Sequence, residues 1–338
     1  MQQGYATREG TERYAARFPR HNGFYRKIQS LRLSTLGIGT YLGAVDEPTD
    51  ASYAKAVAAA VEGGINFIDT SLNYRNQHSE LAVGAALEAL FRTGKAQRDE
   101  LMVCTKAGYL VPGAVPSGVL DPSDVVGNMH CMAPVFLEDQ LERSRRNLGL
   151  ETIDVFYLHN PETQLRFMGE EEFLQRTGAA FEVCERFVRE GRIRYYGTAT
   201  WDGYRKADQL SLANMEQAAR EAGGAEHRFR FIQLPFNLAM LEAVTAGVAP
   251  YAHQLGISVI GSASLLQARL TSGLPEQLAQ ALAGPATDTA RAIQFARSAP
   301  HIDVALIGMS KPEHVEENLG AAAYPPLPEP QFLKLFGK

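Results

Sequence analysis

Short apolar runs alternate with longer amphipathic segments eight times along this chain, and that alternation predicts an α/β fold closed as a (β/α)8 TIM barrel. Two further observations support closure. Each run is too short for a helix, and most are rich in β-branched or aromatic residues, as barrel strands are. A length of 338 residues also suits a barrel of about 250 residues with insertions. An open, doubly wound sheet would call for a glycine-rich dinucleotide turn after its first strand. Gly37-Ile38-Gly39-Thr40 is too short to be that turn.

The elements follow in order. Residues 1–22 are polar and charged and form an N-terminal arm, either flexible or packed on the barrel. Residues 24–33 place Tyr25, Ile28, Leu31 and Leu33 as a small hairpin ahead of the main fold. Barrel strands are predicted at 36–39, 65–68, 101–105, 153–158, 193–197, 231–234, 257–260 and 304–307. Helices are predicted at 51–62, 79–90, 136–148, 171–189, 207–222, 241–255, 286–299 and 312–321, each with apolar residues at helical spacing. A helical crossover returns the chain to the same end of the sheet, so the strands run parallel. Residues 23–323 thus read as one barrel domain.

Two connections exceed the repeat, 108–134 after the third strand and 265–284 after the seventh. Both emerge at the C-terminal face, where barrel enzymes carry their active sites. Residues 324–338 form a tail with four prolines and with Phe332, Leu335 and Phe336 near its end. It either packs on the barrel wall or covers the pocket.

Composition narrows the class. A hydrophobic content of 45% with 21% charged residues describes a soluble globular chain with a sizeable core. A net charge of -5 gives no electrostatic reason to expect nucleic acid or an anionic membrane as partner. No apolar run approaches the roughly 18 residues of a membrane span, and the opening residues lack the apolar core of a signal peptide. Cys104, Cys131 and Cys184 lie far apart, without metal-ligand spacing, so a reduced, cytoplasmic setting and no metal are expected. Cys104 reads as a small core residue and Cys131, beside His130, as a loop thiol without a role.

Four residues sit at or just after successive predicted strands: Asp69 and Tyr74 after the second, Lys106 after the third, His159 after the fourth. Taken singly, an Asp, Lys or His at a strand end is more often a cap, a surface charge or a satisfied polar group. In a barrel, however, these ends converge on one face. Reduction of a carbonyl by hydride needs a proton for the developing alkoxide, and a tyrosine beside an ammonium can supply it. Lys106 offers that charge, Asp69 an ion-pair partner for it, and His159 a hydrogen bond to orient the carbonyl oxygen. The hydride must come from a cofactor, since no side chain supplies one.

The pattern Gly64-x-Asn66-x-x-Asp69-Thr70-x-x-x-Tyr74-x-x-x-x-Ser79-Glu80 resembles the signature of the aldo-keto reductases. The family's Asp-Tyr-Lys-His tetrad matches Asp69, Tyr74, Lys106 and His159 in order and placement, and the resemblance covers about residues 33–322. It implies an NADPH-dependent reductase of aldehydes or ketones with Tyr74 as general acid. It further implies cofactor contacts at Gly39, Thr40, Asp69, Gln233 and Leu265. The segment from Gly308 to Asn318 resembles the family's adenosine-phosphate segment, with Gly308, Ser310, Lys311, His314, Glu317 and Asn318 as contacts. On spacing alone, Glu317 and Asn318 read equally as solvated helix residues. Tyr41 matches an aromatic that lines the substrate pocket. By position, Leu72, Tyr109, Met129, His130 and Asn160 are further pocket candidates, and Trp201 either joins them or packs under a loop.

Four positions depart from the family pattern. Ala199 and Thr200 stand where Ser-Asn grips the carboxamide, Ser262 where an aromatic stacks on the nicotinamide, and His314 where an arginine meets phosphate. NAD is therefore the alternative to NADP. The resemblance leaves two other activities open, an NAD-dependent aldose 1-dehydrogenase and a cofactor-binding regulatory subunit. A small carbonyl or sugar substrate is expected, and the sequence indicates no oligomeric state.

Overall fold

Buried side chains at Tyr25, Ile28, Leu31 and Leu33 fold the chain into an antiparallel hairpin of β1 (Tyr25–Ile28) and β2 (Leu31–Ser34). The computed structural model describes residues 1–20, 22–115, 117–206, 209–282 and 284–336. Behind the hairpin come β3 (Leu36–Gly39), β4 (Phe67–Asp69) and β5 (Met102–Ala107). A small antiparallel pair, β6 (Val125–Val126) and β7 (His130–Cys131), lies in the long connection after β5. The chain then returns as β8 (Ile153–His159), β9 (Ile193–Ala199), β10 (Phe229–Pro235), β11 (Ser258–Ser262) and β12 (Val304–Gly308). β3, β4, β5 and β8 to β12 pair in parallel, and β12 closes on β3 through Gly308 opposite Gly39. The fold is the (β/α)8 barrel that the alternation predicts.

The barrel interior is filled rather than hollow. Phe67, Met102, Cys104, Val155, Tyr157, Phe231, Ile260 and Leu306 pack there, and Ile28, Leu31 and Leu33 of the hairpin join the same cluster. Packing is tight enough to dictate a glycine at 197: a Cβ there would lie 2.0 Å from the Phe231 carbonyl oxygen. That approach coincides with a register shift between β9 and β10 at Phe229/Phe231.

Helices cover the outside: α1 (Arg8–Ala16), α2 (Glu47–Glu62), α3 (His78–Arg92), α4 (Pro134–Leu148), α5 (Glu170–Arg189) and α6 (Leu212–Gly223). They continue as α7 (Glu242–Thr245), α8 (Val248–Gln254), α9 (Glu276–Ala281), α10 (Asp288–Ser298), α11 (Pro312–Ala321) and α12 (Glu329–Lys334). Among the described residues none is long and apolar enough to cross a membrane.

Several bounds differ from expectation for identifiable reasons. α2 begins before residue 51 because Asp46 accepts the Thr49 N–H at 2.8 Å as its cap, with Pro48 in the first turn. β4 begins at Phe67 because the Asn66 side chain is turned to the hairpin. There it accepts from Ser34 N at 2.8 Å and donates to Arg32 O. The single helix expected over 241–255 is two, because Gly247 takes a left-handed φ of 80° between them. α6 starts at Leu212, capped by Ser211, and the expected start at 207–208 lies outside the described residues. Positions 116 and 283 of the two long connections, 21 of the arm and 337–338 of the tail also lie outside them.

Both chain ends pack. Tyr14 of α1 is fully buried, its hydroxyl donating to Val61 O and Ile65 O. In the tail, Phe332 is buried with its ring 5.0 Å from that of Phe295 on α10. Arg297 donates to Tyr324 O at 3.2 Å, so the tail lies on the barrel wall.

Candidate active site

Three adjacent strands, β4, β5 and β8, and β10 beyond β9 set the polar centre at the barrel mouth. Asp69 is the last residue of β4, Lys106 lies one residue from the end of β5, His159 ends β8, and Gln233 lies on β10. Lys106 Nζ donates to Asp69 Oδ1 at 2.5 Å and to Thr70 O at 2.8 Å. Asp69 Oδ2 accepts from Gln233 Nε2 at 2.9 Å. Both partners of the ion pair are buried. Burial disfavours the lysine's charge, but Asp69 and Tyr74 outweigh it and hold the ammonium above the ordinary lysine range. Burial pushes the Asp69 carboxyl up, and Lys106 and Gln233 pull against it. Each charge is thus kept by the other.

Tyr74 is carried over this pair by the loop after β4. Leu72 N donates to Lys106 O and Gln77 N to Leu72 O, curling residues 71–77 back across the end of β5. Arg75, Asn76 and Gln77 all take left-handed φ values of 50°, 51° and 75°. This costly run is held by a clamp. Arg75 is buried, its guanidinium pairs with Asp50 at 2.5 Å, its Nε donates to Ala44 O, and His78 pairs with the other Asp50 oxygen. The Tyr74 ring centroid lies 4.8 Å from Lys106 Nζ. Burial raises the phenol's pKa above its usual value and Lys106 opposes that rise, so Tyr74 is protonated at neutral pH.

His159 stands beside it, the two ring centroids 5.7 Å apart. Burial, then Lys106 and His130, push its pKa well below the usual histidine value, so the ring is a neutral imidazole. Its Nδ1 lies 3.2 Å from Ser71 Oγ, which also reaches Asn73 Oδ1 at 2.6 Å. The direction of the Ser71 hydroxyl therefore sets which ring nitrogen of His159 carries the proton. His130 accepts at Nδ1 from Gln164 and donates from Nε2 to His159 O at 2.8 Å, and its pKa is lowered to about 4, chiefly by burial. It braces the end of β8 and is not itself placed as an acid or base.

The other predicted positions separate into two groups. Tyr41 is 53% exposed with its ring 5.0 Å from that of Tyr74, and Leu72 is buried in the same loop. Tyr109 packs edge-on to His159 at 5.2 Å and accepts from Asn160 Nδ2 at 2.9 Å. Beyond it opens a cleft of about 300 Å³ lined by Asn160, Glu162, Arg166, Trp201, Asp202 and the exposed Met129. Trp201 is 41% exposed there, so it faces the cleft rather than packing under a loop. Ala199 ends β9 and Thr200 follows it, its N donating to Gln233 O.

The second group lies along β3, β11 and β12. Gly39 and Gly308 pair across the closing seam, and a Cβ added at Gly308 would meet nothing within 4 Å, leaving open space at the mouth. Thr40 Oγ1 bonds Thr70 Oγ1 at 2.9 Å and is buried. Leu265 lies in the turn after β11, where Leu266, Gln267 and Ala268 all have positive φ. α11 begins with Lys311 at its cap position and no side-chain cap, so the N–H groups of Glu313 and His314 have no acceptor among the described residues. Ser310 O accepts from Ser52, while Lys311, His314 and Glu317 are exposed. Asn318 is buried and its side-chain amide forms no hydrogen bond among the described residues. These open donors fit a nucleotide phosphate and an adenine edge.

Sequence reading misses three supports. Ser71 lies inside the motif but draws attention only once His159 is beside it. Glu162 takes the backbone N–H groups of Trp201, Asp202 and Gly203 on Oε1 at 2.9, 3.1 and 3.2 Å, pinning that loop. The clamp of Asp50 on Arg75 and His78 is the third. Cys131, open to reading as a loop thiol, is buried, and burial pushes its pKa up to about 11, so it is inert.

Comparison with known proteins agrees with this fold. A D-threo-aldose 1-dehydrogenase of Pseudomonas sp is 26% identical over 323 residues, 88% of this chain and 90% of that protein. Aldo-keto reductase family 4 member C11 of Arabidopsis thaliana is 25% identical, but the match spans only 59% of this chain and 56% of that protein. A solved aldo/keto reductase from Klebsiella pneumoniae, in complex with NADP and acetate, shares the fold with a TM-score of 0.67. It is 20% identical, with 92% of this chain and 94% of that one covered. The sequence model of the Aldo/keto reductase family matches residues 35–335, from β3 to the tail, and the chain therefore belongs to that family of oxidoreductases.

Proposed function

We propose that this protein reduces an aldehyde or ketone to the alcohol with NADPH, using Tyr74 as the general acid. The observation that carries the reading is the buried Lys106–Asp69 pair beneath a protonated phenol and beside a neutral imidazole. The bound nicotinamide supplies a hydride to the carbonyl carbon. As charge grows on the carbonyl oxygen, Tyr74 Oη gives it a proton and the phenolate is held by Lys106 until solvent returns one. Asp69 keeps Lys106 charged and aimed. His159 orients the oxygen when its Nε2 carries the proton, the tautomer in which Nδ1, 3.2 Å from Ser71 Oγ, is unprotonated. Gln233 Nε2 is committed to Asp69, leaving Oε1 to accept from the carboxamide. The uncapped start of α11 and the unbonded Asn318 support a phosphorylated adenosine on that side, as does the NADP held by the Klebsiella protein.

Tyr74→Phe tests the reading. Turnover with a carbonyl panel should fall about 10²–10⁴-fold while NADPH affinity stays within about twofold. Near-native turnover would remove Tyr74 from the mechanism. The full-length similarity to a D-threo-aldose 1-dehydrogenase favours one second reading, oxidation of an aldose by NAD with Tyr74 as base. Steady-state turnover of carbonyls and aldoses with each nucleotide separates the two. Three buried free thiols suit a reducing, cytoplasmic setting for either.

A further inference from the structure

We infer that the cleft beyond Tyr109 is an anion subsite, and that Arg166 there binds a carboxylate or phosphate at the far end of the carbonyl substrate. This rests on the reductase reading above for the location of the reacting carbon. The charges lining the cleft are unequal in availability. Glu162 is occupied by three backbone N–H groups on one oxygen and is buried. Asp202 is paired with Lys206 at 2.9 Å and approached by Arg205 at 3.7 Å. Arg166 has no hydrogen bond, ion pair or aromatic partner among the described residues, and it is exposed. The one uncommitted charge facing the cleft is therefore a guanidinium, whose forked donors match carboxylate and phosphate oxygens.

The remaining walls suit the carbon chain of such a molecule. Tyr109 packs on His159 and also lines the cleft, and Trp201 offers an exposed indole in the same lining. A volume of about 300 Å³ is at the small end for ligand sites, enough for a chain of a few carbons and its anionic end. Because Arg166 lines the cleft and His159 does not, an anion bound there would lie several bonds from the carbonyl. A 2-oxo acid is too short to use it.

Trp201 is the only tryptophan in the chain, so its fluorescence reads the cleft whether or not turnover occurs. The probes are 4-oxobutanoate, its methyl ester and glyoxylate, with glyceraldehyde 3-phosphate against glyceraldehyde to tell phosphate from carboxylate. Arg166→Met should raise KM for the matching long anion about tenfold or more at little change in kcat, and leave the ester and glyoxylate unaffected. Equal effects on acid and ester, or on glyoxylate, or no effect, would overturn the assignment. Titration of the nucleotide-free protein, which cannot oxidise them, with the product alcohols 4-hydroxybutanoate and glycerol 3-phosphate, at constant ionic strength, should change Trp201 emission saturably in the native chain. At least one should bind about tenfold more weakly in Arg166→Met. Absence of any saturable change, or equal binding by both forms, also overturns it. If no carbonyl is turned over but this difference in binding is seen, the reductase reading fails and the anion site stands.

Discussion

At the scale of single residues, the ion pair under Tyr74 is the group on which the proposed chemistry depends most. Lys106→Met would leave the Asp69 carboxylate buried with only Gln233 for a partner, and breaking a buried pair costs about 3–5 kcal/mol. The double variant Lys106→Met with Asp69→Asn should recover most of that stability, because no uncompensated charge remains, yet stay severely impaired in turnover. Denaturant titration beside kinetics checks this; recovery of activity in the double variant would make the pair purely structural. His159 gives a second expectation. Its depressed pKa means protonation begins only well below the ordinary value near 6.5, so any loss of activity that His159 causes falls at the acid end. The reductive pH–rate profile should show no step at the ordinary histidine value near 6.5, and such a step would contradict the neutral imidazole. Asp69, Lys106 and His159 are legible in sequence because each sits at the end of an apolar run. Glu162 is not, because its partners at 201–203 lie on another loop and leave no local pattern.

At the scale of elements, the proposed cofactor site gives the start of α11 the choice between nucleotides. Helix starts are read from Ser, Thr, Asp or Asn caps, and here Lys311 occupies that place without capping anything. The open N–H groups, the nearby ammonium and Ser310 suit a phosphate better than a ribose hydroxyl. A charge-assisted hydrogen bond contributes about 1.5–3 kcal/mol, so NADPH should bind at least about tenfold more tightly than NADH. Lys311→Ala should erase much of that preference and leave NADH binding nearly unchanged, as read by calorimetric titration. Equal affinities in the native chain would reject the phosphate assignment and promote the aldose dehydrogenase reading. Strand order and the β3–β12 seam follow from periodicity alone. The break at Gly247 does not, because the apolar spacing of 241–255 continues through it and one positive φ decides the outcome.

At the scale of the whole molecule, the two ends of the barrel are divided between stability and chemistry. The polar arm of residues 1–20 carries no helical signal strong enough to reveal α1, because few of its residues are apolar. Tertiary bonds fix it instead. Ala6 N donates to Asp154 Oδ1 at 2.8 Å, and Asp154 is itself paired in the interior with Arg98 at 2.6 Å. Arg13 and Arg17 both pair with the buried Glu100, and Tyr14 is sealed between Val61 and Ile65. All of these contacts lie on the side of the strands' starts, and none involves Asp69, Tyr74, Lys106 or His159. Tyr14→Ala would empty a fully buried aromatic site and should cost about 3–5 kcal/mol of stability. Below the unfolding transition, however, kcat and NADPH affinity should remain within about twofold of native. Calorimetry and kinetics on the same preparation test both halves. A fall in kcat that accompanies the lost stability while the protein remains folded would show that the arm tunes the mouth of the barrel from its far end. Unchanged stability would mean that α1 rests on the barrel without supporting it.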